Sequence, residues 1–325
     1  MKALLCKAFG PPESLVVEEV ADPSPGPGEI VLSVKAASVN FPDVLIIENK
    51  YQVKPSLPFS PGCEAAGVVD RVGAGVDRVK PGDRVMAITG YGAFAEKVVV
   101  KGDRAVAIPE AMDDVTASAF LFTYATSDHA VRDRGELKPG EALLVLGAAG
   151  GVGLAAVEIG KAIGATVIAC ASSDDKLAVG REHGADATIN YATADIRHEI
   201  RRVMGDHGVD VVLDPVGGSF SEAVLRSTAW RGRFVVVGFA AGDIPRIPLN
   251  LPLLKGCSIV GASLGAFAQR EPARFAESVQ QLLRWHAEGR LKPRIDRTYP
   301  LERGGEAITY MAGRHVRGKV VVTIG

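Results

Sequence analysis

The sequence predicts an α/β protein in which a Rossmann-type, doubly wound parallel sheet is inserted into a β-rich, mostly antiparallel, barrel-like domain. Three observations carry that expectation. Residues 142–176, ALLVLGAAGGVGLAAVEIGKAIGATVIACASSDDK, run strand, glycine-rich turn, helix and strand in order. Residues 1–125 are instead short β-branched runs broken by turns, and the chain returns to such a run at its end. At 325 residues and 34.1 kDa the chain is long enough to divide into two domains.

Taken in order, Leu15–Val20, Glu29–Ala37, Ala65–Val72, Asp83–Ile88 and Ala93–Val100 read as strands, with turn clusters at Pro23–Gly28 and at Pro81 and Gly82. From Thr126 strands alternate with helices, and Thr188–Asn190, Val209–Leu213, Phe234–Gly238 and Ser258–Gly261 continue the parallel sheet. A helix, Pro272–Ala287, and a closing strand, Val320–Ile324, follow. The expected division is therefore 1–125 with 262–325 for the discontinuous outer domain and 126–261 for the inserted one.

Composition narrows the class. With 47% hydrophobic residues, 23% charged residues and a net charge of -1, nothing announces a nucleic-acid partner. The start MKALLCKAFG has no signal-peptide core, and no apolar stretch reaches the roughly 18 residues of a membrane span, so a cytoplasmic location is expected. Cys6, Cys63, Cys170 and Cys257 are scattered singly, which suits reduced thiols and neither a disulfide framework nor a metal knuckle.

The turn Gly147–Gly153 points to a dinucleotide. Backbone N–H groups must come close to a pyrophosphate, and the following helix turns its positive dipole end toward that charge. Ala149, Gly150, Gly151 and Val152 are the expected contacts. Aligned on G-x-G-x-x-G the chain reads Ala148, Gly150, Gly153, with alanine in place of the first glycine. An NAD site usually has Asp or Glu at the end of the second strand, about 20 residues on, to hold the ribose 2′-OH. Here Cys170, Ala171, Ser172 and Ser173 stand there and Lys176 follows, which favours NADPH. The alternative is that Lys176 only solvates a helix start whose Asp174 and Asp175 dilute its charge.

These residues, with PSPGPGEIVLSVKAASVNFPD, YQVKPSLPFSPGCEAAGVV, VKPGDRV, FLFTYATSDHAV, INY at 189–191, DPVGG at 214–218, VVVGFAAG at 235–242 and RGKVVV near the end, resemble the medium-chain dehydrogenase/reductase superfamily. Within it they are most similar to the zinc-free quinone oxidoreductase or zeta-crystallin-like branch. The resemblance implies a GroES-like catalytic domain, a Rossmann domain and an active site in the cleft between them. Zinc enzymes of the superfamily place Cys and His ligands in the segments matched by Val39–Asp43 and Gly62–Glu64. This chain has Asn40 and Cys63 there, no third ligand near Phe120–Ala125, and no four-cysteine lobe between Lys97 and Pro109. No metal is therefore expected, Cys63 is expected to be a small buried residue, and Glu64 to have a structural partner.

Without a Lewis acid, the acceptor should spread negative charge by itself, as quinones and α,β-unsaturated carbonyls do. The resemblance puts Asn40, Asp43 and Tyr51 along the cleft and Thr126 and His129 under the nicotinamide. Tyr51 matches a tyrosine that related enoyl reductases use as proton donor or orienter, although a surface tyrosine is the alternative. Asp43 is either catalytic or a helix-start carboxylate, and His129 reads as a satisfied buried histidine. Tyr191, Gly238, Phe239 and Arg314 complete the implied cofactor set. The expected function is NADPH-dependent quinone reduction. Reduction of activated alkenes and an NADPH-binding structural or regulatory dimer are the alternatives. The run Ser258–Ser263 should lie at the sheet edge and form a homodimer, unless helix Pro272–Ala287 folds back to cap it.

Overall fold

A computed structural model describes all 325 residues. Its contacts divide the chain into two units, Met1–Phe122 with Pro293–Gly325, and Thr123–Lys292. The strands, in chain order, are β1 (Lys2–Leu5), β2 (Val16–Glu19), β3 (Glu29–Val39), β4 (Glu64–Val72), β5 (Arg84–Ile88), β6 (Lys97–Lys101), β7 (Val106–Ala107), β8 (Ala142–Leu146), β9 (Thr166–Ala171), β10 (Ala187–Asn190), β11 (Val209–Asp214), β12 (Thr228–Val236), β13 (Ser258–Gly261), β14 (Ile295–Pro300) and β15 (Lys319–Thr323).

The first unit is built around β3, which pairs antiparallel with β4, β6 and β15. Its main sheet runs β14-β15-β3-β4-β5-β7, with β14 parallel to β15. β3 and β15 bury Ile30, Leu32, Val34, Val39, Val320 and Val322 together with Phe94 in one core. β6 begins at Lys97, later than the sequence suggests. Residues 92–94 are held instead by backbone bonds from Gly92 to Ser60, Ala93 to Gly62 and Phe94 to Pro61. β14 has no counterpart in the sequence reading, because IDRTYP is polar and largely exposed except at Tyr299.

The second unit is a six-stranded sheet, all of its pairs parallel, in the order β10-β9-β8-β11-β12-β13. A central parallel strand is covered on both faces, so it reads as an unbroken apolar run. All five residues of β8, ALLVL, are buried. The order reverses between β8 and β11, which opens a crevice at the carboxyl ends of the strands. β13 is the edge strand, as expected. β12 starts earlier than the expected Phe234 and stops at Val236, leaving Gly238 in the loop beyond it. No helix is long and apolar enough to cross a membrane.

The division near residue 262 needs correction. Helix Pro272–Ala287 belongs to the unit Thr123–Lys292. Its buried Ser278 donates to Asp128 Oδ2 at 2.5 Å, and Arg274 pairs with Asp133. Asp128 is itself 1% exposed and takes two further bonds from Arg132 at 2.7 Å. Asp128→Ala should therefore lower the stability of the protein by about 2–4 kcal/mol in urea titration. An unchanged midpoint would show that this tie does not hold the helix in place.

Candidate functional site

In the nucleotide-type unit, the turn after β8 is set by Gly147, whose φ of 63° is the left-handed conformation that favours glycine. Ala148, which stands at the first glycine of the pattern, is buried and donates its N–H to Cys170. The helix Gly151–Ile163 then starts from Gly150, with no side chain capping it. The two remaining motif glycines differ in what requires them. A Cβ at Gly153 would lie 2.3 Å from the Gly147 carbonyl oxygen, so packing of the turn excludes any side chain there. A Cβ at Gly150 would meet only that same oxygen, at an ordinary 3.5 Å. Nothing inside the protein forbids a side chain at Gly150. Its absence leaves the N–H groups at the helix start, with Ala149, Gly151 and Val152 around them, open to an anion.

The ends of the neighbouring strands gather the other expected residues of this unit. Lys176 Nζ donates to Ser172 Oγ at 3.3 Å beside Ser173, at the end of β9. Tyr191 donates its N–H to Ala171 and sets its ring 4.5 Å from that of Phe220. Asn190, which the sequence reading passed over, donates to Asp174 Oδ1 at 2.9 Å and so engages one of the two acids beside Lys176. At the end of β11, Asp214 Oδ1 accepts the N–H groups of Val216 and Gly217, both at 2.8 Å, while Oδ2 accepts Ser221 Oγ. Gly238 N–H bonds the Asp214 carbonyl, which places Gly238 and Phe239 at the same end of the sheet. Thr126 is buried on helix Leu121–Asp128. His129 lies 2.8 Å from Asp133 and stacks on Phe267 with ring centres 4.2 Å apart. Burial pulls its pKa down despite Asp133, so it is poorly suited to act as an acid.

In the other unit, Asn40 opens the helix Phe41–Ile47, with Pro42 in its first turn. Asp43 accepts the N–H of Asn40 at 2.7 Å on one oxygen and that of Gly62 at 3.0 Å on the other. Both oxygens of this 1% exposed carboxyl are thus engaged by backbone, which is the helix-start role. Asn40 Nδ2 donates to Ser38 Oγ at 3.1 Å and Ser38 O at 3.3 Å, and its Oδ1 accepts Lys319 Nζ at 2.5 Å. Ser38 Oγ in turn donates to Glu64 Oε2, and Phe122 N–H to Glu64 Oε1, each at 2.6 Å. Lys319 Nζ also reaches the Val39 carbonyl at 3.3 Å and lies 3.8 Å from Glu64 Oε2.

Tyr51 is partly buried nearby. Its hydroxyl is held above the usual tyrosine range by burial, with smaller contributions from the neighbouring Cys63 and Asp43. Burial also pushes the Cys63 thiol well up. Asn40, Asp43 and Tyr51 therefore stand together in one unit, while Thr126 and the expected nucleotide contacts other than Arg314 belong to the second. Arg314 lies in the first unit, in a left-handed turn at φ 58° after helix Gly304–Ala312. Lys319 and Ser38 escaped the sequence reading. The available signal was a lysine directly before the apolar run of the closing strand, KVVVT.

No three His, Cys, Asp or Glu side chains cluster to hold a metal ion. The amide oxygen of Asn40 faces the Lys319 ammonium.

Burial, with a smaller contribution from Glu64, pushes Asp43 up to about 7, against its two N–H bonds and Lys319. The folded state then holds a proton that the unfolded chain releases near pH 4, so the group's contribution is present at low pH and lost as pH rises through about 7. Glu64 shifts in the same direction through burial, whereas burial lowers Lys319. The stability of wild type relative to Asp43→Asn should therefore fall between about pH 4 and pH 7. A difference that is flat or rises in urea titrations would contradict this assignment.

Comparison with known proteins agrees with both halves. Residues 26–110 match the alcohol dehydrogenase GroES-like domain, and residues 151–285 match the zinc-binding dehydrogenase family. Quinone oxidoreductase-like protein 2 from Bos taurus is 36% identical over 324 residues, 99% of this chain and 92% of that protein. Among solved structures, the Escherichia coli quinone oxidoreductase complexed with NADPH superposes with a TM-score of 0.94 at 30% identity, covering 99% of this chain and 100% of that one. A probable oxidoreductase from Mycobacterium abscessus has a TM-score of 0.89 at 36% identity, covering 99% of each chain.

Proposed function

We propose that this chain, which belongs to the medium-chain dehydrogenase/reductase superfamily, is a zinc-independent reductase that uses NADPH to reduce quinones. The observation that carries this reading is the pairing of an uncapped helix start at Gly150 with the Ser172–Lys176 contact at the end of β9. The helix start would hold the pyrophosphate through Ala149–Val152. Ser172, Ser173 and Lys176 would hold the 2′-phosphate, with Tyr191 beside them and Asn190 engaging Asp174. Gly238, Phe239 and Thr126 complete the proposed contacts of this unit. Bound NADPH supplies hydride, and a quinone accepts it without a metal because the ring spreads the resulting charge.

In the catalytic unit, Asn40 and Asp43 fix the start of helix Phe41–Ile47, and Tyr51 keeps its proton at a partly buried hydroxyl. That protonated hydroxyl beside Asp43 and Cys63 favours a second reading, reduction of an activated alkene, whose product needs a proton at the α-carbon. A homodimer through Ser258–Ser263 fits the exposed surface. Ile259 on edge strand β13 is 40% exposed and Trp230 73%, and the Trp230 ring lies over Gly256 at the end of the helix that carries exposed Leu253 and Leu254. Helix Pro272–Ala287 buries Val279, Leu282 and Trp285 yet leaves Ile259 exposed, which disfavours an edge capped within one chain.

Lys176→Ala should weaken NADPH by about 1.5–3 kcal/mol, roughly tenfold or more, and leave NADH nearly unchanged in nicotinamide fluorescence titrations. Equal losses for both cofactors would remove the 2′-phosphate assignment. A panel of quinones and enones followed by NADPH absorbance tests the reaction. Tyr51→Phe should cost a quinone reductase little in turnover and an alkene reductase roughly 10²-fold or more. Tight NADPH binding without turnover of any acceptor would favour a structural or regulatory dimer instead. For the assembly, sedimentation equilibrium should give twice the 34.1 kDa chain mass, reverting to one chain in Val260→Pro. A single-chain mass for wild type at micromolar concentration would rule the dimer out.

A further inference from the structure

The most deeply buried charged cluster in the first unit is built on Lys319, a residue of β15 that is 4% exposed. Its neighbours are Glu64 and Cys63 at the start of β4, Ser38 and the Val39 carbonyl at the end of β3, and Asn40 and Asp43 at the start of helix Phe41–Ile47. An ammonium has only donors, so the 2.5 Å contact can be made only to the oxygen of the Asn40 amide. That fixes the side chain with Nδ2 toward Ser38. A buried ammonium without its carboxylate loses its proton, and a buried carboxylate without its cation gains one. Lys319 and Glu64 are each pressed that way by burial and held back by the other.

The geometry points to Lys319 as the built-in cation of the catalytic unit, a positioning residue that holds Glu64 ionised and turns the Asn40 carbonyl inward where zinc-containing relatives of this fold would place a metal. The ammonium supplies the positive charge that one thiol, one amide and one carboxylate could not recruit from zinc. Through Asn40 it sets the turn whose N–H binds Asp43, and so the start of the helix that precedes Tyr51. Only the kinetic consequence rests on the quinone-reductase reading.

The test compares Lys319→Met, Glu64→Gln and the double variant as full-length proteins. Lys319→Met should melt lower than the double variant, because removing the cation alone strands a buried carboxyl. Its infrared spectrum at about pH 8, above the Asp43 midpoint, should show, beyond any Asp43 signal, an additional protonated-carboxyl band that is missing from wild type and from the double variant. NADPH affinity should change less than about threefold while kcat for a quinone falls roughly 10²-fold, a split that general loss of structure would not give. Wild type equilibrated with Zn²⁺ and desalted should retain no stoichiometric zinc.

Retained zinc, or a Lys319→Met protein that melts with the double variant and lacks the new band, would overturn the assignment. If Lys319→Met does not fold, the double variant is compared with Glu64→Gln. A melting temperature at least as high supports the pair, and a lower one overturns it. Wild type without quinone turnover would sink the proposed reaction alone, since melting and infrared readouts do not depend on it.

Discussion

A parallel sheet covered on both faces has no tolerance for polar side chains along its central strands, and this constraint governs the second unit. β8 is buried at every residue, and β9 at all but its first. Polar chemistry is therefore confined to the strand ends, where backbone groups become free as the ladder stops. Gly150, Ser172, Tyr191, Gly217 and Gly238 all stand at that rim because the interior excludes them. The same pressure makes the rim rigid. Asp214 spends its carboxylate on two backbone N–H groups and Ser221, and the loop after β12 bonds back to Asp214 and Pro215.

The first unit solves the opposite problem. It carries ionisable groups inside a β-rich core, where the charged form of each would be costly alone. They are tolerated because every one is tied to a second element: Glu64 to Ser38 and Phe122, Asp43 to Asn40 and Gly62, Lys319 to Val39 and Asn40. Ordering of β3, β4, β15 and the helix after Asn40 is thereby coupled. A change in any one of these groups alters the environment of the others, so their measured effects should not add.

Much of this was legible in the sequence because it rests on local pattern. Apolar runs marked β8, β9 and β11, the glycine spacing marked the turn, and Pro272–Ala287 was delimited to the residue. The missing first glycine of the motif was misleading only in register, since the left-handed residue is Gly147, one position earlier. What could not be read depended on distant pairing. The destination of helix Pro272–Ala287 is decided by Asp128, 150 residues from Ser278. Lys319 meets Asn40 across 279 residues, so its role was hidden in a strand that looked merely apolar. For Asn40 and Asp43, sequence gave their neighbourhood, while only the hydrogen bonds show how their oxygens are used.

The contrast between Gly150 and Gly153 has a bearing on descent. At Gly153 the turn itself vetoes a side chain, so drift there is checked by folding in every descendant, whatever its job. At Gly150 the fold is indifferent, and only an occupant of the helix start can exert selection. A lineage that ceased to use its nucleotide would be free to lose the first of these glycines while keeping the second. The two positions thus separate the history of the scaffold from the history of its use.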